Sequence, residues 1–404
     1  MTVENKIKDY IQKNIHEETV KAHPDPFWTN LRNCGTTLWL DTGDMNDVLS
    51  VWSGEMEALT TNNTLINKVI QKGIYDDFIP RTHEILASMP RDKKIMEMAF
   101  ILNARHGLRL TKKFGAYVSV ELHTAISYSI DDIVNYALRY RDICPDKFII
   151  KVPYTAAGLL AARILKEKGV RINFTLGFSS RQNVMAANIS RPAYLNVFLG
   201  RIGAYVVNNK IGDGSGIGEK TVIETQKYTN EIRSSLGTDT KLIAASIRHH
   251  DQLEMLAGVD VFTIPPKVAA SGHKQLTGSF TSRLNHDYKP GLSFDPANER
   301  MDKFWKVDDK LSKLANSLGN NPPGSGEELE DIMRNEGFED MFPVLNDKEK
   351  QRISDDGKIP VRSAWLEKIN EGGIAPDTLL NLAGLASFAT DQAELDNRID
   401  SVLK

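Results

Sequence analysis

A closed (β/α)8 barrel carrying helical extensions at both ends is the fold class that this sequence predicts. Three observations lead there. Short apolar, β-branched runs alternate with amphipathic stretches from about residue 36 to 265. Strands alternating with helices imply right-handed crossovers and a parallel sheet. Eight such runs over about 230 residues match the usual size of a closed barrel. An open, doubly wound sheet is the alternative arrangement of the same units.

The expected strands are 37–40, 58–61, 116–122, 148–153, 171–176, 194–200, 241–247 and 259–264. Between them, helical periodicity marks 130–140, 156–168, 220–236 and 249–256. Ser129, with Asp132 three residues on, has the pattern of a capping box opening the first of these. Residues 1–35 read as a helical extension, with an amphipathic helix over 3–17, a proline-bearing turn and a short second helix. The barrel occupies 36–274. Residues 275–404 form a helical C-terminal extension covering or flanking it, with helices at 301–318, 327–335, 347–354, 363–370 and 376–402. The turn-rich segment 320–326 reads as a flexible linker or disordered loop.

Composition narrows the class of function. Hydrophobic and charged contents of 41% and 25% are those of an ordinary globular protein, and the net charge of −3 offers no basic field for nucleic acid or anionic membrane. No apolar run approaches the roughly 20 residues needed to span a bilayer. The polar, amphipathic N-terminus lacks the apolar core of a signal peptide. Two cysteines, Cys34 and Cys144, make no disulfide framework and read as free thiols of a cytoplasmic protein.

The most informative residue is Lys151, a lone cation inside Phe148-Ile149-Ile150-Lys151-Val152-Pro153. The run reads as a strand buried on both faces. A lysine can snorkel from a strand end with its head in water. Held in the interior, however, a lysine loses the preference for its ammonium form, and the freed amine is the nucleophile of Schiff-base enzymes.

Barrel chemistry sits at the C-terminal ends of the strands, and polar residues close nearly every apolar run here. They are Asp41, Thr61 with Asn62, Glu121, Lys151, Asn173 with Thr175, Asn196 with Arg201, and Ser246 with Arg248. Any one alone is an ordinary cap or strand terminus. Together at one barrel mouth they would be costly to bury without a purpose, at roughly 1–3 kcal/mol for each unpaired group.

At these positions the chain resembles the transaldolase family, class I Schiff-base enzymes. The matching stretches are LDTGDM (40–45), TTNNTL (60–65), VSVE (118–121), IKVPYTAAGLLAA (150–162), INFTLGFSSRQ (172–182), FLGRI (198–202), AASIR (244–248), AGVDVFTIPP (257–266) and the tail SFATDQAELDNRI (387–399). The resemblance implies that Lys151 forms the Schiff base and that Asp41 is the acid/base of carbon–carbon cleavage. It implies that Glu121 and Thr175 hold a catalytic water. Asn62 and Asn173 would orient the sugar, Asn196 and Phe198 would line its site, and Arg201, Ser246 and Arg248 would clamp its phosphate. The partners so implied are sugar phosphates, with no metal and no cofactor, in a monomer or homodimer.

The chain departs from the family pattern at Asn63, where proline is common, and at Asn196, where a serine usually touches the sugar. Phe198 stands where the related fructose-6-phosphate aldolases carry a water-activating tyrosine, which favours a transferase over a lyase. A sugar-phosphate-binding protein without turnover would need only the arginines and amides. Four other signals are set aside. Gly212–Gly218 breaks the G-x-G-x-x-G spacing at Ile217 and reads as a flexible strand-to-helix loop. His249 and His250 are adjacent and so face apart on a helix. Lys267, after two prolines, lies beyond its strand, and Asp44 fits a helix cap.

Overall fold

The computed structural model describes residues 2–403. Eight parallel strands close into a barrel in sequence order: β1 (Thr37–Asp41), β2 (Met56–Thr60), β3 (Tyr117–Glu121), β4 (Phe148–Pro153), β5 (Ile172–Thr175), β6 (Tyr194–Phe198), β7 (Lys241–Ala245) and β8 (Val261–Ile264). β8 pairs back onto β1, with Thr37 opposite Val261, so no strand edge is left exposed. The expected barrel is what forms, and the open sheet is not.

Strand alternation divides the barrel between two environments. Outward residues such as Leu40, Val120, Ile150, Val152 and Phe174 pack under the surrounding helices in the main core. Inward residues of the lower layer, Trp39, Ala58, Ile149, Ile243 and Val261, form a separate plug, joined by Tyr117 and Tyr194. Trp39 and Tyr194 meet edge to face at 4.6 Å. Further along the strands, the same inward parity presents Asp41, Thr60, Ser119, Glu121, Lys151, Asn173, Asn196 and Thr263. A dry apolar floor thus underlies a polar upper layer.

Several strands stop short of their expected ends for identifiable reasons. The chain turns left-handed at Leu176 (φ 64°) and Ser246 (φ 62°), and the helix Leu199–Asn208 starts directly after β6. The N-terminal helix spans Val3–Gln12 rather than reaching 17. Asn14 there adopts φ 55°, and Arg105 donates to the carbonyls of Ile11 and Lys13, both at 2.9 Å, ending the helix.

The C-terminal extension holds the helices Asp309–Asn320, Gly326–Asn335, Asp347–Asp356, Leu366–Asn370 and Pro376–Val402. The expected helix over 301–318 is broken. A short 3₁₀ segment, Asn298–Phe304, precedes a new start capped by Asp308. Segment 320–326 is a bonded turn rather than a flexible linker: Ser325 Oγ accepts from the Glu328 amide (3.2 Å) and Glu328 Oε2 from the Gly324 amide (2.7 Å). The glycine-rich stretch 212–218 joins two helices, Leu199–Asn208 and Ile217–Leu236, so it is not a strand-to-helix loop. It is pinned rather than free, by bonds between Gly214 and Gly291 (3.2 Å) and between Gly291 and Ser215 (2.7 Å). No helix among the described residues is long and apolar enough to cross a membrane.

The terminal helix Pro376–Val402 crosses the C-terminal ends of the strands. Its first turn is tied down by a buried charge cluster in which Arg181 holds Asp377 in a two-bond fork, both bonds 2.7 Å, and also reaches Asp340 at 2.6 Å. One turn later, Asn381 donates to the carbonyls of Leu176 (2.9 Å) and Tyr154 (3.3 Å). Gly384 permits the close approach, since a Cβ there would come within 2.7 Å of the Leu176 side chain.

Candidate active site

Beneath that helix lies a cavity of about 200 Å³ whose walls include Asp41, Asn62, Lys151, Asn173, Asn196, Phe198, Arg201, Ser246 and Arg248. Nine of the eleven residues to which the family resemblance gives a role therefore share one space. The other two, Glu121 and Thr175, are buried in the strands flanking it: Glu121 lies opposite Lys151, and Thr175 opposite Pro153 in the β4–β5 pairing. Larger hollows exist elsewhere, including an apolar one of about 460 Å³ beside Tyr154 and Phe342. None of these is lined by Lys151, Asp41 or Asn173.

Lys151 is 4% exposed, and its Nζ donates to the Thr61 carbonyl at 2.8 Å, which holds the amine at the top of β2. On the other side of β2, Thr60 Oγ1 donates to Asp41 Oδ1 at 2.8 Å. The Thr60 and Thr263 hydroxyls are 2.6 Å apart. Because Thr60 spends its proton on Asp41, Thr263 is the donor in that contact. The chain of hydroxyls orients the Asp41 carboxylate across the cavity floor.

Burial pushes the Glu121 carboxyl up to about 7, and the charge of Asp41 adds to the rise. The Lys151 cation and the Asn63 amide, which donates to Glu121 Oε2 at 3.0 Å, hold it from going further. Glu121 can therefore exchange a proton near neutrality beside a buried amine. Thr175 Oγ1 and Asn173 Oδ1 are buried without protein partners, so both keep hydrogen-bonding capacity for a small molecule. Asn173 is steadied through its other end, donating to Ser119 Oγ at 3.1 Å.

The opposite end of the cavity is cationic. Arg201 is buried, and burial together with the neighbouring Arg248 guanidinium lowers its pKa to about 10; Asp391 and Glu121 oppose the fall. One Arg201 nitrogen and Ser246 Oγ are also buried without protein partners. Two guanidinium groups forced together, with unclaimed donors, suit a dianion. Gly200 makes the arrangement possible: a Cβ there would sit 2.1 Å from the Ser246 carbonyl and 2.5 Å from Arg248 Cγ. The Arg248 amide is fixed by Gln252 Oε1 at 2.8 Å.

Some expectations shift in detail. Asn196 lines the cavity, but its amide is already engaged, with Oδ1 accepting from Gly177 N at 3.0 Å and Nδ2 donating to the Phe174 carbonyl. One amide hydrogen remains for a ligand, so Asn196 shapes the β5 turn as much as it contacts the cavity. Asn62 caps the helix Asn63–Ile70 through Oδ1, which accepts from the Leu65 amide at 2.8 Å. Lys267 is exposed on the first turn of the helix Pro266–Gln275 and is absent from the cavity wall. Asp44 caps the helix Met45–Leu49, as expected.

Residues not anticipated include Thr60, Thr263, Ser119, Lys68, Phe388 and Lys358. The first three lie on inward parity with the named residues and could have been found by counting in twos. Phe388 and Lys358 arrive from the C-terminal extension; Phe388 lies in the tail stretch 387–399 that carries the family resemblance, whereas no local pattern marks Lys358.

Comparison with known proteins identifies the family. The sequence signature described as Transaldolase/Fructose-6-phosphate aldolase matches residues 38–312, well over half of the chain. A protein named transaldolase from Chlamydia felis is 26% identical over 297 residues, covering 70% of this chain and 89% of its own. One from Prochlorococcus marinus subsp. pastoris is 26% identical over 318 residues, covering 74% and 92%. A third, from Xanthomonas euvesicatoria, is 27% identical over 286 residues, covering 65% and 87%. The match spans the barrel from Leu38 through β8, and the chain belongs to the transaldolase/fructose-6-phosphate aldolase family.

Proposed function

We propose that this protein is a transaldolase that moves a dihydroxyacetone unit from a ketose phosphate to an aldose phosphate through a Schiff base on Lys151. The donors are sedoheptulose 7-phosphate or fructose 6-phosphate, and the acceptors glyceraldehyde 3-phosphate or erythrose 4-phosphate. Such an enzyme belongs to the pentose phosphate pathway of the cytoplasm. The observation that carries the reading is the buried Lys151 amine, opposite Glu121 on the neighbouring strand and sharing one cavity with Asp41 and the arginine pair.

The steps follow from that layout. The Lys151 amine adds to the ketone at C2 of the sugar. Glu121, with a water held by Thr175, passes the protons that let the carbinolamine lose water to an iminium. The iminium then draws electrons, so the C3–C4 bond breaks, its electron pair forming an enamine, while Asp41 takes the proton of the C4 hydroxyl. The aldose leaves, and the acceptor aldehyde reverses these steps. Arg201, Ser246 and Arg248 hold the phosphate so that the chain of the sugar spans the distance to Lys151. Phe198 offers no hydroxyl to activate water, which supports transfer over release of free dihydroxyacetone.

Borohydride reduction with fructose 6-phosphate, followed by peptide mass mapping, tests the reading. A covalent adduct on the Lys151 peptide, lost in Lys151→Ala along with turnover, is expected. No adduct, or one on Lys267, overturns it. Release of dihydroxyacetone without an acceptor, as fast as transfer with one, would point to a fructose-6-phosphate aldolase-like lyase instead.

A further inference from the structure

We propose that the C-terminal extension supplies a third cation to the phosphate end of the cavity, Lys358, which sets the preference for phosphorylated over unphosphorylated ketoses. The proposal rests on the reading of the cavity as a sugar-phosphate site.

Lys358 lies on the loop between the helix Asp347–Asp356 and the short 3₁₀ turn Arg362–Ala364. Together with Arg201 and Arg248 it lines both the catalytic cavity and the adjoining hollow of about 700 Å³ under the 212–218 loop. Three cations therefore border the junction of the two spaces. Its nearest counter-charge is Asp391 of the terminal helix, with Nζ 3.8 Å from Oδ2. Asp391 also accepts from the Thr64 hydroxyl and opposes the lowering of the Arg201 pKa. A single carboxylate thus faces both Lys358 and Arg201, and a phosphate dianion brings a second negative charge to the same cations.

A solvated surface lysine with a weak ion pair would look similar if its loop were loose. This loop is not loose. Asn209, at the end of the helix that carries Arg201, donates to the Pro360 carbonyl at 3.0 Å and accepts from the Arg362 amide at 2.8 Å. The Val361 amide donates to Asp356 Oδ2 at 2.9 Å, and Arg362 pairs with Glu299. Ile359 packs against the main core. The backbone that follows Lys358 is therefore anchored, to Asn209 on the element that positions Arg201 and to the Asp356 side chain just before the loop. The side chain itself remains 52% exposed, which leaves its ammonium free to turn to an anion.

The test compares Lys358→Met, which keeps the aliphatic stem, with Lys358→Arg and wild type. Half-saturating concentrations for borohydride trapping are measured with fructose 6-phosphate and with dihydroxyacetone. Lys358→Met is expected to raise the ratio of the first to the second by about 5- to 10-fold, and Lys358→Arg to restore it. An unchanged ratio, or equal shifts with both ketoses, overturns the proposal. If wild type forms no adduct with either ketose, the transaldolase reading fails by itself. Calorimetric titration with inorganic phosphate then decides for Lys358: weaker binding by Lys358→Met supports the role, and equal binding overturns it.

Discussion

Replacing Asn63 with proline isolates one backbone hydrogen bond at the centre of the proposed chemistry. The Asn63 amide is among the first of the helix Asn63–Ile70, where amides have no partner within the helix, and it donates to Glu121 Oε2 at 3.0 Å. Proline has no N–H, yet it is well accommodated at the first helical position. Asn62 before it is already extended, at φ −154° and ψ 170°, as a residue preceding proline must be. The substitution therefore deletes the donor without breaking the helix. A hydrogen bond to a carboxylate is worth about 1.5–3 kcal/mol, or roughly one to two pKa units at 1.36 kcal/mol each. The cations of Lys151 and Arg201 remain in place, so we take the lower end. The bond favours the charged form, and its loss raises the pKa, moving the Glu121 titration from about 7 to about 8. The assay is the pH profile of kcat/KM for donor cleavage, with the Glu121 limb assigned by its disappearance in Glu121→Gln. Asn63→Ala keeps the amide and should leave the limb in place. A limb that stays put in a folded Asn63→Pro variant, or moves equally in Asn63→Ala, refutes the assignment.

Three further outcomes are expected. Arg248→Ala should raise KM for a ketose phosphate by roughly 10- to 100-fold with a smaller change in kcat; an unchanged KM would remove Arg248 from the phosphate site. Arg181→Met leaves the fully buried Asp377 without the guanidinium that outweighs the upward push of burial on its pKa. Urea denaturation should show a loss of about 3–5 kcal/mol, and protease should cut the terminal helix sooner; a loss under about 1 kcal/mol would mean that the cluster does not hold that helix. His106, whose ring nitrogens contact Gly43 O (2.7 Å) and Tyr75 Oη (2.9 Å), is pushed down by burial to about 4. Its neutral form favours folding, so its contribution is complete above about 6.5 and is lost as pH falls toward 4, on the order of 3 kcal/mol in all. Glu121 acts with the opposite sign, contributing below about 4.5 and losing that contribution as pH rises through 7. The comparison must therefore be with His106→Gln, which should lose less stability than wild type between pH 7 and 5. Parallel losses would show that His106 does not titrate as described.

The barrel and most of its polar layer were legible because both depend on short-range rules. Alternation within a strand decides which residues point inward, and a lone lysine in Phe148–Pro153 stands out against its β-branched neighbours. The strand ends were less legible. Ser246 and Leu176 take left-handed conformations that their residue types do not announce, and at Leu176 a bond from the distant Asn381 fixes the turn. Likewise, nothing near Asn196 indicates that its amide will be engaged by the backbone of Phe174 and Gly177.

From its residues alone the chain specified eight strands, their inward faces, and which of them end on a carboxylate, an amine or a guanidinium. The tertiary structure alone decided that the Asn63 amide meets Glu121, that Arg181 moors the terminal helix across the strand ends, and that Lys358 stands beside Asp391. The division has a physical cause. Propensity and alternation act over a few residues, whereas closing a barrel and docking a long extension depend on burial and charge pairing between segments far apart in the chain.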